Sequence, residues 1–268
     1  MTAEPALPSP TPLALEGLSV AYGERPAVDR LSLTISPGEI YGLLGSNGAG
    51  KTSTIKSIVG LVRPVAGSVR VFGLDALADG LAVKARIGYV PETSMLYEAL
   101  TPREFLEFVA SVRRLDPATA TRRAMSYAEA FRLEPELEEP IATLSNGTRQ
   151  KVLIIAALLH APPLLVLDEP LNSLDPRSVR IMKDVLVRYV SAGGRGVLFS
   201  THTMEVAQQL CHRIGILDRG VLRGEGTLGA LRERVAAGDA SLEEVFLRLT
   251  EEDAGVRAAV DSLGEPTG

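Results

Sequence analysis

The sequence predicts an α/β fold with an antiparallel β start and an inserted all-helical segment, and three observations carry that prediction. Near-continuous apolar runs of strand length recur at residues 40–44, 87–90, 164–168, 196–200 and 213–217. Such runs suit strands buried on both faces, as in a parallel sheet covered by helices. Helical patterns lie between them, at 51–59, 102–114, 118–132, 146–160, 176–190 and 204–211. Third, the alternation breaks over about 93–160, where helices alone follow one another.

Taken in order, residues 1–12 carry Pro5, Pro8, Pro10 and Pro12 without apolar periodicity and read as a disordered leader. Short β-rich runs follow at 13–22, 31–36 and 68–72, the antiparallel start. Asp175 before Pro176 is an N-cap residue ahead of proline at the first helical position. The main domain is expected over 13–237, its helical subdomain over about 93–160, and a C-terminal helix with a fraying tail over 238–268.

Composition removes several function classes. The 268 residues hold 28 Lys and Arg against 33 Asp and Glu, a net charge of −5, with 46% hydrophobic residues. That is an ordinary globular balance, and the acidic excess argues against coating nucleic acid. Cys211 is the single cysteine, so no intrachain disulfide or cysteine-built zinc site can form, and three histidines make a His cluster implausible. No apolar run reaches the ~20 residues that span a bilayer. The nearest, 152–167, is broken by His160, Pro162 and Pro163. No secretory signal opens the chain, so the expected address is cytoplasmic.

Two motifs point to chemistry. Gly45, Ser46, Asn47, Gly48, Ala49, Gly50, Lys51 and Thr52 fit G-x-x-x-x-G-K-[ST], between an apolar strand and a helix. Backbone N–H groups of such a loop curl around phosphate oxygens, and the helix start adds partial positive charge. Lys51 is expected at the β- and γ-phosphates and the Thr52 hydroxyl at Mg²⁺. Thr54, on the same first turn, is counted among the nucleotide contacts. The second motif is the apolar run 164–167 ending in Asp168 and Glu169. These carboxylates must emerge at the C-terminal sheet edge, where open α/β sheets bind ligands. There Asp168 is expected to hold Mg²⁺ and Glu169 to act as general base toward water.

Ser145 and Gly147 open a further apolar helix and form a second anion site, Ser145 as N-cap. One ATP does not need two such loops in one chain, so this one is expected to serve an ATP held by another subunit. With this loop the sequence resembles the ATP-binding-cassette (ABC) ATPases. Their signature loop usually reads L-S-G-G-Q; here Leu144, Ser145 and Gly147 match, while Asn146 and Thr148 depart from it.

The resemblance covers roughly 13–237 and implies further roles. Asp175, after Leu174, looks like the D-loop aspartate, and His202 like the switch histidine at the γ-phosphate. Tyr22, at the end of the first strand, resembles the aromatic residue that stacks on adenine. Glu92 stands where the family usually has the Q-loop glutamine, and as a carboxylate it can face Mg²⁺. The segment 241–250 looks like the branch of single-cassette ATPases that pairs with separate export permeases.

What the resemblance implies is a P-loop NTPase core that binds ATP and Mg²⁺. Two copies would close head to tail over two ATP molecules, and a separate membrane permease would place the ATPase on the cytoplasmic face of the cell membrane. Met95, Leu96 and Tyr97, beyond Glu92, are expected to touch that permease. The alternative is a soluble cassette ATPase of DNA repair or translation. Such proteins usually carry two cassettes or a long coiled coil, whereas this chain has one phosphate loop and no sustained heptads.

Overall fold

The computed structural model describes residues 11–236 and 238–250. The predicted leader up to residue 10 and the tail from residue 251 lie outside the described residues. Pro12 already belongs to the fold: its carbonyl accepts the Phe72 N–H at 3.3 Å.

Two sheets organise the chain. The first is antiparallel, with β1 (Leu13–Tyr22) between β2 (Arg25–Ile35) and β4 (Ala66–Val71), and the short β5 (Leu74–Asp75) beyond β4. The second holds β3 (Glu39–Leu44), β6 (Ile87–Val90), β7 (Leu164–Asp168), β8 (Gly196–Thr201), β9 (Arg213–Asp218) and β10 (Val221–Gly226), in the order β10-β9-β3-β8-β7-β6. All neighbours there are parallel except the edge pair β9–β10. Every residue of β3, β7 and β8 is buried, which explains why these strands read as unbroken apolar runs.

Helix α1 (Lys51–Ile58) follows β3, and α2 (Gly80–Arg86) precedes β6. The helical segment comprises α3 (Pro102–Val112), α4 (Pro117–Phe131) and α5 (Asn146–Leu158), with 3-10 turns at Glu134–Glu136 and Ile141–Thr143. The α/β alternation then resumes with α6 (Pro176–Ser191), α7 (Met204–Leu210), α8 (Leu228–Arg234) and α9 (Leu242–Leu249). One apolar core joins β7 and β8 to α3–α6, and another joins β3 and α1 to the antiparallel sheet.

Helix α9 begins with a capping box of Ser241 and Glu244 and turns Leu242, Val245 and Phe246 onto Leu231, Ile214 and Ile216. Its apolar face is therefore occupied by its own domain.

Strand register sets up the site. Leu44 pairs with Thr201, and Asp168 with Ser200. The phosphate loop, the two acids and the segment leading to His202 thus leave the sheet side by side at its C-terminal edge.

Candidate functional site

The loop between β3 and α1 owes its shape to glycine. Gly50 stands at φ 110°, and a Cβ there would lie 2.5 Å from the Ala27 carbonyl oxygen, so no side chain fits. Residues 46–53, with Ala27, Glu92 and Glu169, line a cleft of ≈ 180 Å³. A larger groove of ≈ 470 Å³ between α3 and α4 is lined by side chains such as Leu106, Ala110 and Ala124, and no predicted site residue lines it.

Lys51 is buried. Its Nζ donates to the carbonyls of Gly45 at 2.7 Å and Ser46 at 3.2 Å, and lies 3.4 Å from Glu169 Oε1. His202 Nδ1 stands 3.1 Å from the same oxygen. Neither Glu169 oxygen has a hydrogen-bond partner of sound geometry, although both are buried. Glu169 also sits at φ 48°, a left-handed conformation that costs a non-glycine residue on the order of 1 kcal/mol and is held by its surroundings. Part of that hold is Ser200, whose hydroxyl accepts the Glu169 N–H at 3.0 Å and donates to Asp168 Oδ1 at 2.6 Å.

Asp168 is fully buried, and burial pushes its carboxyl above the ordinary value, with the Ser200 hydrogen bond opposing the shift. Its Oδ2 has no partner. Thr52 donates its hydroxyl to Glu92 Oε2 at 3.2 Å. Among the described residues no trio of His, Cys, Asp and Glu side chains is arranged to hold a metal by itself. Thr52, Glu92 and the free oxygen of Asp168 are nonetheless all hard oxygen donors. They fit magnesium, which takes one or two carboxylates and completes its shell with water and substrate phosphates.

Thr54 falls differently from expectation, and a neighbouring hydroxyl takes its place. Thr54 is buried and donates its hydroxyl to the Gly50 carbonyl at 3.0 Å, so it does not line the cleft. One residue along a helix is a rotation of about 100°, and it is Ser53 that faces the cleft. Ser53 also donates to the hydroxyl of half-exposed Tyr22 at 3.4 Å, which places the tyrosine beside the loop.

The loop expected to be a second anion site is not brought to this cleft: neither Ser145 nor Gly147 lines it. Ser145 caps α5, accepting the Thr148 N–H at 3.1 Å, and its hydroxyl lies 2.9 Å from that of Thr148. A Cβ on Gly147 would meet the Ser173 carbonyl oxygen at 2.5 Å, so this loop packs tightly on the segment before Asp175. Asp175 caps α6 through Ser178 and pairs with Lys151 at 3.1 Å. The Ser178 hydroxyl, then its N–H, hold the Asp175 carboxyl down at about 2.

Sequence reasoning missed Ser200 and Gln150. Gln150 is buried, its Nε2 donates to the Pro170 carbonyl at 3.1 Å, and its Oε1 accepts from Ser94 at 3.5 Å. A polar residue four places into an apolar helix was the available signal. Beyond Glu92, Met95 and Tyr97 are exposed, whereas Leu96 turns into the core.

A family model described as "ABC transporter" matches residues 28–172, more than half of the chain. The chain belongs to the ABC transporter family. The ABC-type transporter ATP-binding protein EcsA of Bacillus subtilis (strain 168) is 38% identical over 243 residues, covering 91% of this chain and 98% of its own. The Nod factor export ATP-binding protein I of Ralstonia nicotianae is 35% identical over 216 residues, 81% of this chain and 67% of that one. A solved ATP-binding subunit of an ABC transporter superposes with a TM-score of 0.85 at 34% identity, covering 90% of this chain and 100% of that chain. The α/β architecture with its antiparallel sheet is thus that of an ABC ATP-binding subunit. Among the described residues, no helix is long and apolar enough to cross a membrane.

Proposed function

We propose that this ABC ATP-binding subunit hydrolyses ATP and drives export through a separate permease, from the cytoplasmic face of the cell membrane. The observation that carries the hydrolytic reading is the meeting of Lys51, Glu169 and His202 at the sheet edge. Lys51 and the backbone of residues 46–52 bind and orient the triphosphate, and Tyr22 offers its ring to the base. Glu169, with two buried oxygens lacking hydrogen bonds, takes the proton of the attacking water. His202 orients that carboxylate and reaches the γ-phosphate. Bound magnesium would be held by Thr52, Asp168 and Glu92 and would neutralise charge developing on the phosphates.

The Ser145/Gly147 loop lies outside its own chain's cleft. That placement supports a head-to-tail homodimer in which each loop contacts the ATP of the partner copy. Asp175 shapes this surface from the same side through its pair with Lys151. Exposed Met95 and Tyr97, with the half-exposed Phe108 against which Tyr97 packs edge-on at 5.4 Å, offer an apolar face for the permease. The direction of transport follows the relative named for Nod factor export. A soluble role in DNA repair or translation has no such support.

The test is twofold. Purified protein should release phosphate from ATP only with Mg²⁺ present. Gentle purification from native membranes should carry a multi-spanning permease with it; recovery alone, with ribosomes or with DNA-repair proteins would contradict the transporter role.

A further inference from the structure

The Glu92 carboxylate is anchored beside the phosphate loop by the Thr52 hydroxyl, 3.2 Å from its Oε2, and lines the cleft with Glu169. Asp168, buried and outside the cleft lining, is within charge range of both and has one oxygen lacking a partner, and Glu169 leaves both of its oxygens without hydrogen bonds. Among the described residues, Lys51 is the one cationic side chain lining the cleft, and it is already paired with Glu169. A bare triphosphate entering here would meet two lining carboxylates, with the buried Asp168 beyond them, and a single lining ammonium. A glutamine at position 92 would keep an acceptor for Thr52 and remove one of the two negative charges that line the cleft.

We propose that Glu92 makes nucleotide binding conditional on the divalent cation, so that the cleft takes the magnesium complex of a nucleoside triphosphate and rejects the free triphosphate. The inference rests on reading the cleft as the nucleotide site and adds an entry rule to it. With the cation, Glu92 and the free oxygen of Asp168 face a positive charge and become attractive partners. Without it, the same two groups repel the phosphates. Glu92 itself is exposed, so its repulsion is screened and should weaken as salt is raised.

Titration calorimetry on the full chain, with ATP in Mg²⁺ and with ATP in EDTA at low ionic strength, tests this directly. The wild type should bind about tenfold or more tightly with Mg²⁺ than without, and added salt should narrow the gap. Glu92→Gln should close most of the gap by strengthening binding in EDTA, and Glu92→Asp should preserve it. A purely structural role for the Thr52–Glu92 bond would move both affinities together and leave their ratio alone. An unchanged ratio in Glu92→Gln, or tight binding of ATP in EDTA by the wild type, overturns the inference while leaving the nucleotide site standing. Failure of the wild type to bind ATP even with Mg²⁺ overturns both.

Discussion

The ammonium of Lys51 lies 3.4 Å from a carboxylate oxygen of Glu169, with both side chains buried. The group that would hold phosphate is thereby tied to the group that would take a proton. On the proposed reading, a triphosphate would offer Lys51 a competing anion and loosen its hold on Glu169, so that binding and activation of the base would be linked through one contact.

Glu169→Gln keeps the size of the side chain and removes its charge. Hydrolysis should fall roughly 10²–10⁴-fold while ATP affinity is retained. With ATP and Mg²⁺ the variant should accumulate as a dimer in size-exclusion chromatography, because the closed state is no longer discharged. Wild-type turnover in this variant would remove Glu169 as general base.

Gln150 joins the loop after Glu92, through Ser94, to the Pro170 carbonyl next to the base. Gln150→Leu leaves that buried carbonyl without its donor, a loss of about 1–3 kcal/mol. The turnover number should drop severalfold with little change in ATP affinity, since Gln150 does not line the cleft. Equal loss of affinity and turnover would mean that the residue only supports packing.

The sheet core was legible because β3, β7 and β8 are buried on both faces and so leave unbroken apolar runs. β10 was not, because Gly224 and Gly226 and the polar Arg223 and Glu225 break any period; it forms through pairing with β9 after the turn at Gly220. The first part of β2 escaped for a similar reason: Pro26 and Asp29 sit on an edge strand, where a missing N–H is tolerated. Helices α2 and α8 span seven residues each and carry Gly80 and Gly229 in their first turns, which weakens a helical pattern that the equally short α7 keeps. In the site, motif spacing located Lys51, Asp168 and Glu169. It could not tell which hydroxyl of the first turn of α1 faces the cleft, since that depends on helix rotation. Nor could it find Ser200, whose role exists only through the register of β8 against β7.

Tyr97 is 60% exposed and packs on Phe108, itself half-exposed. Tyr97→Ala should reduce transport in reconstituted vesicles by more than it reduces hydrolysis, because the side chain lies on the face proposed for the permease. Parallel loss of both would assign it to packing of α3.

His160 supplies a pH signature of folding. Burial, then the Arg113 charge, lowers its imidazole from the usual 6.5 to about 4. The folded chain holds it neutral while the unfolded chain binds a proton below 6.5. Its contribution to stability is therefore complete above pH 6.5 and declines as pH falls toward 4. Thermal unfolding followed from pH 7.5 to pH 5 should show a falling midpoint, and His160→Gln should flatten that slope. An identical slope in the variant would contradict the assignment.

The central claim is that a working site is built from the phosphate loop of one copy and the Ser145/Gly147 loop of another, and mixing two inactive variants tests it most directly. Lys51→Ala lacks its phosphate contact, worth on the order of 1.5–3 kcal/mol, and should bind ATP about tenfold or more weakly. Ser145→Arg should bind ATP nearly as the wild type does, remain monomeric and hydrolyse poorly. A heterodimer of the two pairs the intact phosphate loop of the Ser145→Arg chain with the intact Ser145 loop of the Lys51→Ala chain. The measurement is phosphate release from the mixture against each variant alone. Return of hydrolysis on mixing is the predicted result. No return, together with failure of Ser145→Arg alone to bind ATP, would place the loop in its own chain's site and contradict the composite dimer.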